Sequence, residues 1–347
     1  MLLIRSTRYI GYAPTRTGDG WRVIGQDGGQ SIPTTHDTLF LFSDTLLAIG
    51  EAVSSPAAPI TQRTGLFLPN CAALSAEHTF LRALKNLRYF SDPLGRPREV
   101  IRATLEERTQ GYRFWPQHGL ENAGRVYLFY IGIRHFDPAT TWGFEPAGTG
   151  LAVLDLSTGD CQRIRCEGEW RLWSALGGLH FGVQVIRGGE WIYAFSSRQD
   201  GPFSAAILSR VQPAAMADPR AWRHLAATTP EWSQRLEDAC ELAYVGPEFS
   251  VSWNDYRKQY LMVYVDGYSK TLQLRTSEHL WGPYSEPYSA GVLPHRPESE
   301  LLSLGFEHPA FATGGGKTIF ISYCQPRFTQ NSLVAVTLHP RSGSSAG

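Results

Sequence analysis

One pattern, repeated five times along the chain, limits most strongly what this sequence can fold into. Each copy has a strand of small residues with a polar residue near its start, then a short turn, then a strand rich in aromatic residues. The copies run over residues 26–45, 112–130, 178–195, 246–264 and 305–323. Further strands follow in several copies, so each accounts for a four-stranded antiparallel unit. Periodic four-stranded units predict an all-β fold, a five-bladed β-propeller.

The rest of the chain fits one such domain over residues 1–339, since no linker-like segment divides it. The opening strand, residues 2–11, has no partner of its own. We expect it to pair beside residues 332–337 as the outer strand of the last blade, which would close the ring. Residues 76–86 and 230–242 have helix-like spacing and predict short helical insertions. The Ser/Gly-rich tail, residues 340–347, is expected to be disordered.

Charge and apolar runs exclude some classes of partner. The formal net charge is zero, with 32 basic and 32 acidic residues and no cationic block, which argues against nucleic acid. No apolar run is long enough to span a membrane. The N-terminus lacks the apolar core and cleavage site of a signal peptide, so we expect a cytoplasmic protein, or a secreted one if a leader has been removed.

The five cysteines form no Cys-x-x-Cys pair, which argues against a zinc ribbon and a redox motif. Cys161 and Cys166 are close enough along the chain to bridge a hairpin. The odd number of cysteines favours free, mostly buried thiols instead.

In a propeller, the first strands of the blades begin at one mouth of the central channel. When each copy is aligned on its aromatic strand, five polar residues converge there: Asp27, His118, His180, Glu248 and His308. The second strands return to the same face and add Asp44 and Asp266. Trp115 and Trp253 lie nearby in the sequence and are expected to stack on sugar faces. The sequence therefore predicts a funnel of carboxylates, histidines and aromatic rings.

Such a funnel has the groups that glycoside cleavage needs. One carboxylic acid protonates the leaving oxygen, and a second carboxylate activates water or attacks carbon. Two like charges held close separate in pKa, so that one keeps its proton near neutral pH. We predict that Asp27, Asp44 and Glu248 are catalytic and that the remaining candidates contact substrate. Structural roles stay open, because Asp44 before Thr45 is also a common turn cap and an inner-strand histidine is often a core residue.

The sequence predicts no cofactor. His118, His180 and His308 would meet on the channel axis if the alignment of the copies is right, and a structural calcium ion or a water molecule could occupy that place. The predicted partner is a small carbohydrate or another small molecule.

Short motifs over most of the chain resemble a known family. They are Asp27-Gly28-Gly29-Gln30-Ser31, Phe42-Ser43-Asp44-Thr45, Phe114-Trp115-Pro116, His308-Pro309-Ala310-Phe311 and Ile321-Ser322-Tyr323-Cys324-Gln325-Pro326. They are similar to a five-bladed propeller family that includes bacterial endo-D-arabinanases. The motif Trp281-Gly282-Pro283-Tyr284-Ser285-Glu286-Pro287 is similar to the more distant arabinanase and fructosidase propellers. The resemblance implies that Asp27 and Asp44 are the catalytic pair and that Glu248 is the acid of a later inner strand. Ser43 stands where that family usually has glycine.

Three functions are consistent with these residues. The leading hypothesis is a glycoside hydrolase-like enzyme acting on furanosidic, arabinose-containing glycans or oligosaccharides. The second is an intracellular enzyme that tailors a metabolite in the same channel. The third is a carbohydrate-binding propeller without catalysis, since one fold carries many functions.

Overall fold

The chain folds almost entirely into β-structure. The computed structural model describes residues 3–13, 21–49, 65–136, 143–200 and 203–341. In this part of the chain, 23 strands form four sheets, and the two α-helices are short. No helix among these residues is long and apolar enough to cross a membrane. All five cysteines are free, as the sequence predicts, but only Cys71 and Cys324 are buried.

The first half of the described chain contains two groups of consecutive antiparallel strands, which we call units. The opening strand is β1 (Ile4–Tyr12). The first unit consists of β2 (Trp21–Pro33), β3 (Thr38–Ile49), β4 (Leu66–Leu68), β5 (Cys71–Ser75), α1 (Phe80–Lys85) and β6 (Arg88–Tyr89). The second unit consists of α2 (Leu105–Thr109), β7 (Tyr112–Asn122), β8 (Arg125–His135), β9 (Phe144–Leu154) and β10 (Cys161–Arg163).

Three further units follow with the same meander. The third consists of β11 (His180–Gly188), β12 (Trp191–Asp200), β13 (Phe203–Val211), β14 (Arg223–Ala227), β15 (Glu231–Ser233) and β16 (Ala243–Val245). The fourth consists of β17 (Phe249–Asn254), β18 (Gln259–Asp266), β19 (Thr271–Ser277) and β20 (Tyr288–Val292). The fifth consists of β21 (Ser303–Glu307), β22 (Thr318–Gln325) and β23 (Gln330–Leu338). Short 3₁₀ helices span Leu176–Gly178, Pro213–Ala215, Pro219–Ala221, Leu236–Asp238, Pro309–Phe311 and Pro326–Phe328.

The opening strand completes the fifth unit. β1 pairs antiparallel with β23, with Thr7 opposite Val336. The predicted pairing of the opening strand is therefore confirmed, and β1 covers the edge that β23 would otherwise expose. β2 and β23 share one parallel pair, Gln26 with Gln330, so the first and fifth units belong to one nine-stranded sheet.

The five first strands contact each other in sequence order. β2 contacts β7, β7 contacts β11, β11 contacts β17, β17 contacts β21, and β21 contacts β2. Apolar clusters fill the spaces between neighbouring units, and the second strands supply several of their aromatic residues. Buried examples are Phe40, Phe129, Phe195, Tyr264 and Tyr323. Burial of each such side chain stabilises the folded state by roughly 1.5–3 kcal/mol relative to leaving it exposed to water.

One helix prediction is confirmed and one is wrong. α1 lies within residues 76–86, as expected. Residues 230–242 instead contain the strand β15 and a 3₁₀ turn, Leu236–Asp238. β15 pairs with β14, and the Trp232 ring packs 4.1 Å from the Arg210 guanidinium, so this segment belongs to the edge of a sheet.

Candidate active site

The β2–β3 hairpin brings Asp27 and Asp44 together. Gln26 pairs with Thr45 and Gly28 pairs with Phe42, so Asp27 faces the segment that contains Asp44. The register shifts here, and Gly28 has a φ of 83°. A Cβ at Gly28 would lie 2.9 Å from the Ser43 nitrogen, so this bulge requires glycine. The hairpin prediction is confirmed.

Asp27 is a partly exposed carboxyl with two hydrogen-bond donors. Its Oδ1 accepts the Gly28 N–H at 2.7 Å, and the buried Cys324 thiol at the end of β22 also donates to it. Burial raises the pKa of Asp27, while the bonds from Cys324 and Gly28 lower it. These two donors favour the ionised form of Asp27 over what burial alone would allow.

Asp44 is held by the second unit. Trp115 Nε1 on β7 donates to Asp44 Oδ1 at 2.8 Å. The pKa of Asp44 is raised to about 7. Burial is the largest cause of the rise and the Asp27 charge adds to it, while the Trp115 hydrogen bond and the Arg113 charge lower the pKa. The Trp115 ring is also fixed edge-on against Phe144, with 5.0 Å between centroids. Trp115 therefore orients Asp44 from a rigid position.

Glu248 enters from the fourth unit, immediately before β17. The pKa of Glu248 is raised to about 7. Burial is the largest cause, the Asp27 charge also raises the pKa, and the Leu304 N–H lowers it. Leu304 has a φ of 75°, unusual for a branched side chain, at a register shift between β21 and β22. Asp27 thus acts electrostatically on both Asp44 and Glu248, and the three carboxyls form one cluster.

His180 lies beside this cluster. It is the first residue of β11 and pairs with Ser197, whose hydroxyl donates to the Pro247 carbonyl at 2.7 Å, next to Glu248. Burial lowers the pKa of His180 to about 4, so the ring is neutral near pH 7. A neutral imidazole can both donate to and accept from a sugar hydroxyl.

The other two histidines do not start their strands, contrary to the predicted alignment. His118 is well inside β7, and the Val185 N–H donates to its Nδ1 at 3.2 Å. His308 follows β21 and is 1% exposed, with its ring nitrogens bonded to the Ser31 and Ser322 hydroxyls. Register shifts and unequal strand lengths displaced the alignment of the copies. His308 is a core residue with no ring atom left for substrate.

Two further candidates also lie outside the carboxylate cluster. Asp266 ends β18, and its Oδ1 accepts the Ser269 N–H at 3.3 Å, which makes it a turn cap. Trp253 lies near the end of β17 and donates to Asp255. No three His, Cys, Asp or Glu side chains of the described residues gather closely enough to hold a metal ion.

Three contributors to the cluster were not found from the sequence. Arg113 lies two residues before Trp115, on the same face of β7, and this alternation could have indicated it. The Cys324 thiol and the Leu304 N–H depend on contacts between distant units. No local signal in the sequence marks either one.

We expect Trp115→Phe to raise the pKa of Asp44 by about one pH unit, because it removes a hydrogen bond to the charged carboxylate. A ¹³C NMR titration of the Asp44 carboxyl measures this. The matched control is Trp253→Phe, because the Trp253 N–H donates to Asp255 instead. An unchanged or lower pKa in Trp115→Phe would contradict the assigned role of Trp115.

The fold of the chain is similar to that of glycoside hydrolase propellers. The catalytic domain of a Coprinopsis cinerea GH62 α-L-arabinofuranosidase has a TM-score of 0.51 at 11% identity, covering 96% of this chain and 97% of that one. A Xanthomonas citri GH43_1 enzyme, complexed with xylotriose, has a TM-score of 0.51 at 13% identity, covering 91% and 90%. A "putative hydrolase" from Bacteroides ovatus has a TM-score of 0.63 at 16% identity, covering 95% and 87%.

The chain belongs to the family described as Domain of unknown function (DUF4185), which matches residues 12–325. None of the curated proteins matches it. At the identities of the solved structures, the similarity establishes the shared all-β fold. What the site does must be argued from its own residues.

Proposed function

We propose that this chain is a glycoside hydrolase that cleaves furanosidic, arabinose-containing glycans or oligosaccharides by carboxylate acid/base catalysis. The observation that carries the proposal is the cluster of Asp27, Asp44 and Glu248, in which the Asp27 charge raises the pKa of both partners. Such a cluster provides one carboxyl that keeps its proton near neutral pH and one that is ionised. Glycoside cleavage needs this combination.

The proposal includes the arrangement of the units as five blades of one propeller domain over residues 1–339. The ordered contacts of the five first strands and the pairing of β1 with β23 support it. In this arrangement, the carboxylates lie around one mouth of a central channel. Converging strand ends can then hold groups from several blades around one bound sugar.

The surroundings of each carboxyl suggest its role. Asp44 has an N–H donor and a nearby guanidinium that favour its charged form, from Trp115 and Arg113. Only the backbone of Leu304 favours the charged form of Glu248. Glu248 is therefore better suited to retain a proton and act as the general acid. Burial raises the pKa of Asp27, but the Cys324 thiol and the Gly28 N–H favour its charged form, so Asp27 in that form would be the base or nucleophile. Asp44 would tune the charge of the cluster.

The groups around the cluster suit a small sugar. Trp115 offers an aromatic face and His180 a neutral donor and acceptor. The preference for a furanosidic, arabinose-containing substrate is supported by the motif resemblance and by the fold shared with a protein named as an α-L-arabinofuranosidase.

Hydrolysis of matched aryl glycosides tests the proposal. We expect release of 4-nitrophenol from α-L- or α-D-arabinofuranosides with kcat/KM at least about tenfold above that for the β-D-xylopyranoside, since pocket complementarity of this kind is worth about that much. Asp155→Asn, which alters only an exposed turn, should retain this activity. No release from any furanoside or arabinan oligosaccharide would overturn the proposal. Binding without cleavage would instead favour the carbohydrate-binding alternative.

A further inference from the structure

A cavity lies at the far ends of the first strands, and the carboxylate cluster is not part of its lining. It has a volume of about 450 Å³. Residues from the ends of β2, β7, β11, β17 and β21 line it, whereas Asp27, Asp44 and Glu248 do not. A volume of this size lies within the range of small-molecule sites, roughly 300–1,000 Å³. The cavity is therefore separate from the proposed active site.

One wall of this cavity contains a buried carboxyl without a cation. Glu307, at the end of β21, is 5% exposed, and its Oε2 accepts the Ser252 hydroxyl at 2.7 Å. Burial raises the pKa of Glu307 to about 7, and no basic side chain of the described residues opposes this. A buried carboxylate with a single hydroxyl donor is incompletely satisfied.

A buried acceptor without a donor lies on a neighbouring strand. Gln30 on β2 is 5% exposed, and its Nε2 donates to the Val183 carbonyl at 3.3 Å. Its Oε1 is buried and has no donor among the described residues. β2 and β21 are in contact, and a 2.8 Å bond between Ser31 and His308 joins the chain beside Gln30 to the chain beside Glu307. The two acceptors therefore lie on neighbouring strands of the cavity wall.

The remaining lining is mostly apolar or already bonded. The apolar wall residues are Ile32, Leu120, Val185, Val251 and Phe306. The charged Arg187 and Glu121 bond to Asn122 and Thr35 respectively. The cavity thus combines aliphatic walls with one amide oxygen that lacks a donor and one carboxyl that has a single hydroxyl donor. This combination favours a ligand with a strong donor on an apolar body.

We propose that this cavity binds a compact organic cation, a primary ammonium group on an aliphatic body, with the ammonium donating to Glu307 and to Gln30 Oε1. An ammonium carries three donors and a charge, which complements a carboxylate and an amide oxygen at once. The aliphatic body packs against the apolar walls. This inference does not depend on the proposed hydrolase activity.

Calorimetric titration with two matched probes tests it, namely trans-4-aminocyclohexanol and trans-1,4-cyclohexanediol, which differ only by an ammonium in place of a hydroxyl. We expect the aminocyclohexanol to bind at least tenfold more tightly than the diol. Glu307→Gln, a nearly isosteric change, should lower its affinity at least tenfold, and Gln30→Leu should lower it less. Asp27→Asn should leave it unchanged, which separates this site from the active site.

The proposal would be overturned by the absence of any heat of binding at millimolar aminocyclohexanol, or by equal affinities for the two probes. It would also be overturned if neither Glu307→Gln nor Gln30→Leu changed the affinity for the aminocyclohexanol, or if Asp27→Asn abolished that affinity. A thermal melt of each variant shows that it is folded before titration. Tight binding of calcium that Glu307→Gln abolishes, without binding of the amine, would also count against an organic cation. Hydrolase activity does not enter any of these comparisons.

Discussion

Asp27→Asn should reduce kcat on an arabinofuranoside by about 10³-fold, within the range for loss of a positioned base. Asparagine keeps the size of the side chain and removes its charge. In the proposed mechanism, Asp27 is the carboxylate that activates water or attacks carbon, with the Gly28 N–H and the Cys324 thiol favouring its ionised form. Steady-state kinetics with a 4-nitrophenyl arabinofuranoside measures the loss.

A second consequence of Asp27→Asn is independent of turnover. The Asp27 charge raises the pKa of both Asp44 and Glu248, so its removal should lower both values from about 7. A ¹³C NMR titration of the two carboxyls measures this. Asp155→Asn is the control, because that aspartate caps an exposed turn. If Asp27→Asn kept full activity and left the pKa values of Asp44 and Glu248 unchanged, Asp27 would not be part of the active site.

The sequence predicted the parts of the fold that depend on local pattern. The β2–β3 hairpin follows from its turn and its aromatic second strand, and the thiols are free as the cysteine count suggested. β1 was identified as the outer strand of the fifth unit because an unpaired strand must find an edge. These features need only strand propensity and the rule that edges are covered.

The parts that were wrong depend on register. A β-bulge changes which side of a sheet a residue faces, and the shifts near Gly28 and Pro116 cannot be read from residue type alone. His118 was therefore predicted to start its strand, although it lies well inside β7 at such a shift. His308 was assigned to the channel although serine hydroxyls and the Phe80 ring, 4.3 Å away, enclose it.

Glu248→Gln should have an effect that depends on the leaving group. A general acid matters most when the departing oxygen is a poor leaving group, so cleavage of an arabinan oligosaccharide should fall by about 10²–10⁴-fold. Cleavage of a 2,4-dinitrophenyl arabinofuranoside should change far less, because that phenolate leaves without protonation. Parallel kinetics on the two substrates measures the difference.

The pH profile gives the same assignment a second test. Glu248 must carry its proton to act as the acid, and its pKa is raised to about 7. The protonated fraction is nearly complete well below that pH and falls about tenfold per unit above it. Wild-type kcat/KM on the oligosaccharide should therefore decline above about pH 7, and Glu248→Gln should lack this decline.

Asp44 and Glu248 have similar pKa values, and Asp44→Asn distinguishes their roles. If Asp44 tunes charge and is not the proton donor, its variant should slow both substrates by similar factors. The opposite pattern, with leaving-group dependence in Asp44→Asn and none in Glu248→Gln, would exchange the two roles. That exchange would also mean that the Trp115 and Arg113 contacts are too weak to keep Asp44 ionised, since both favour its charged form.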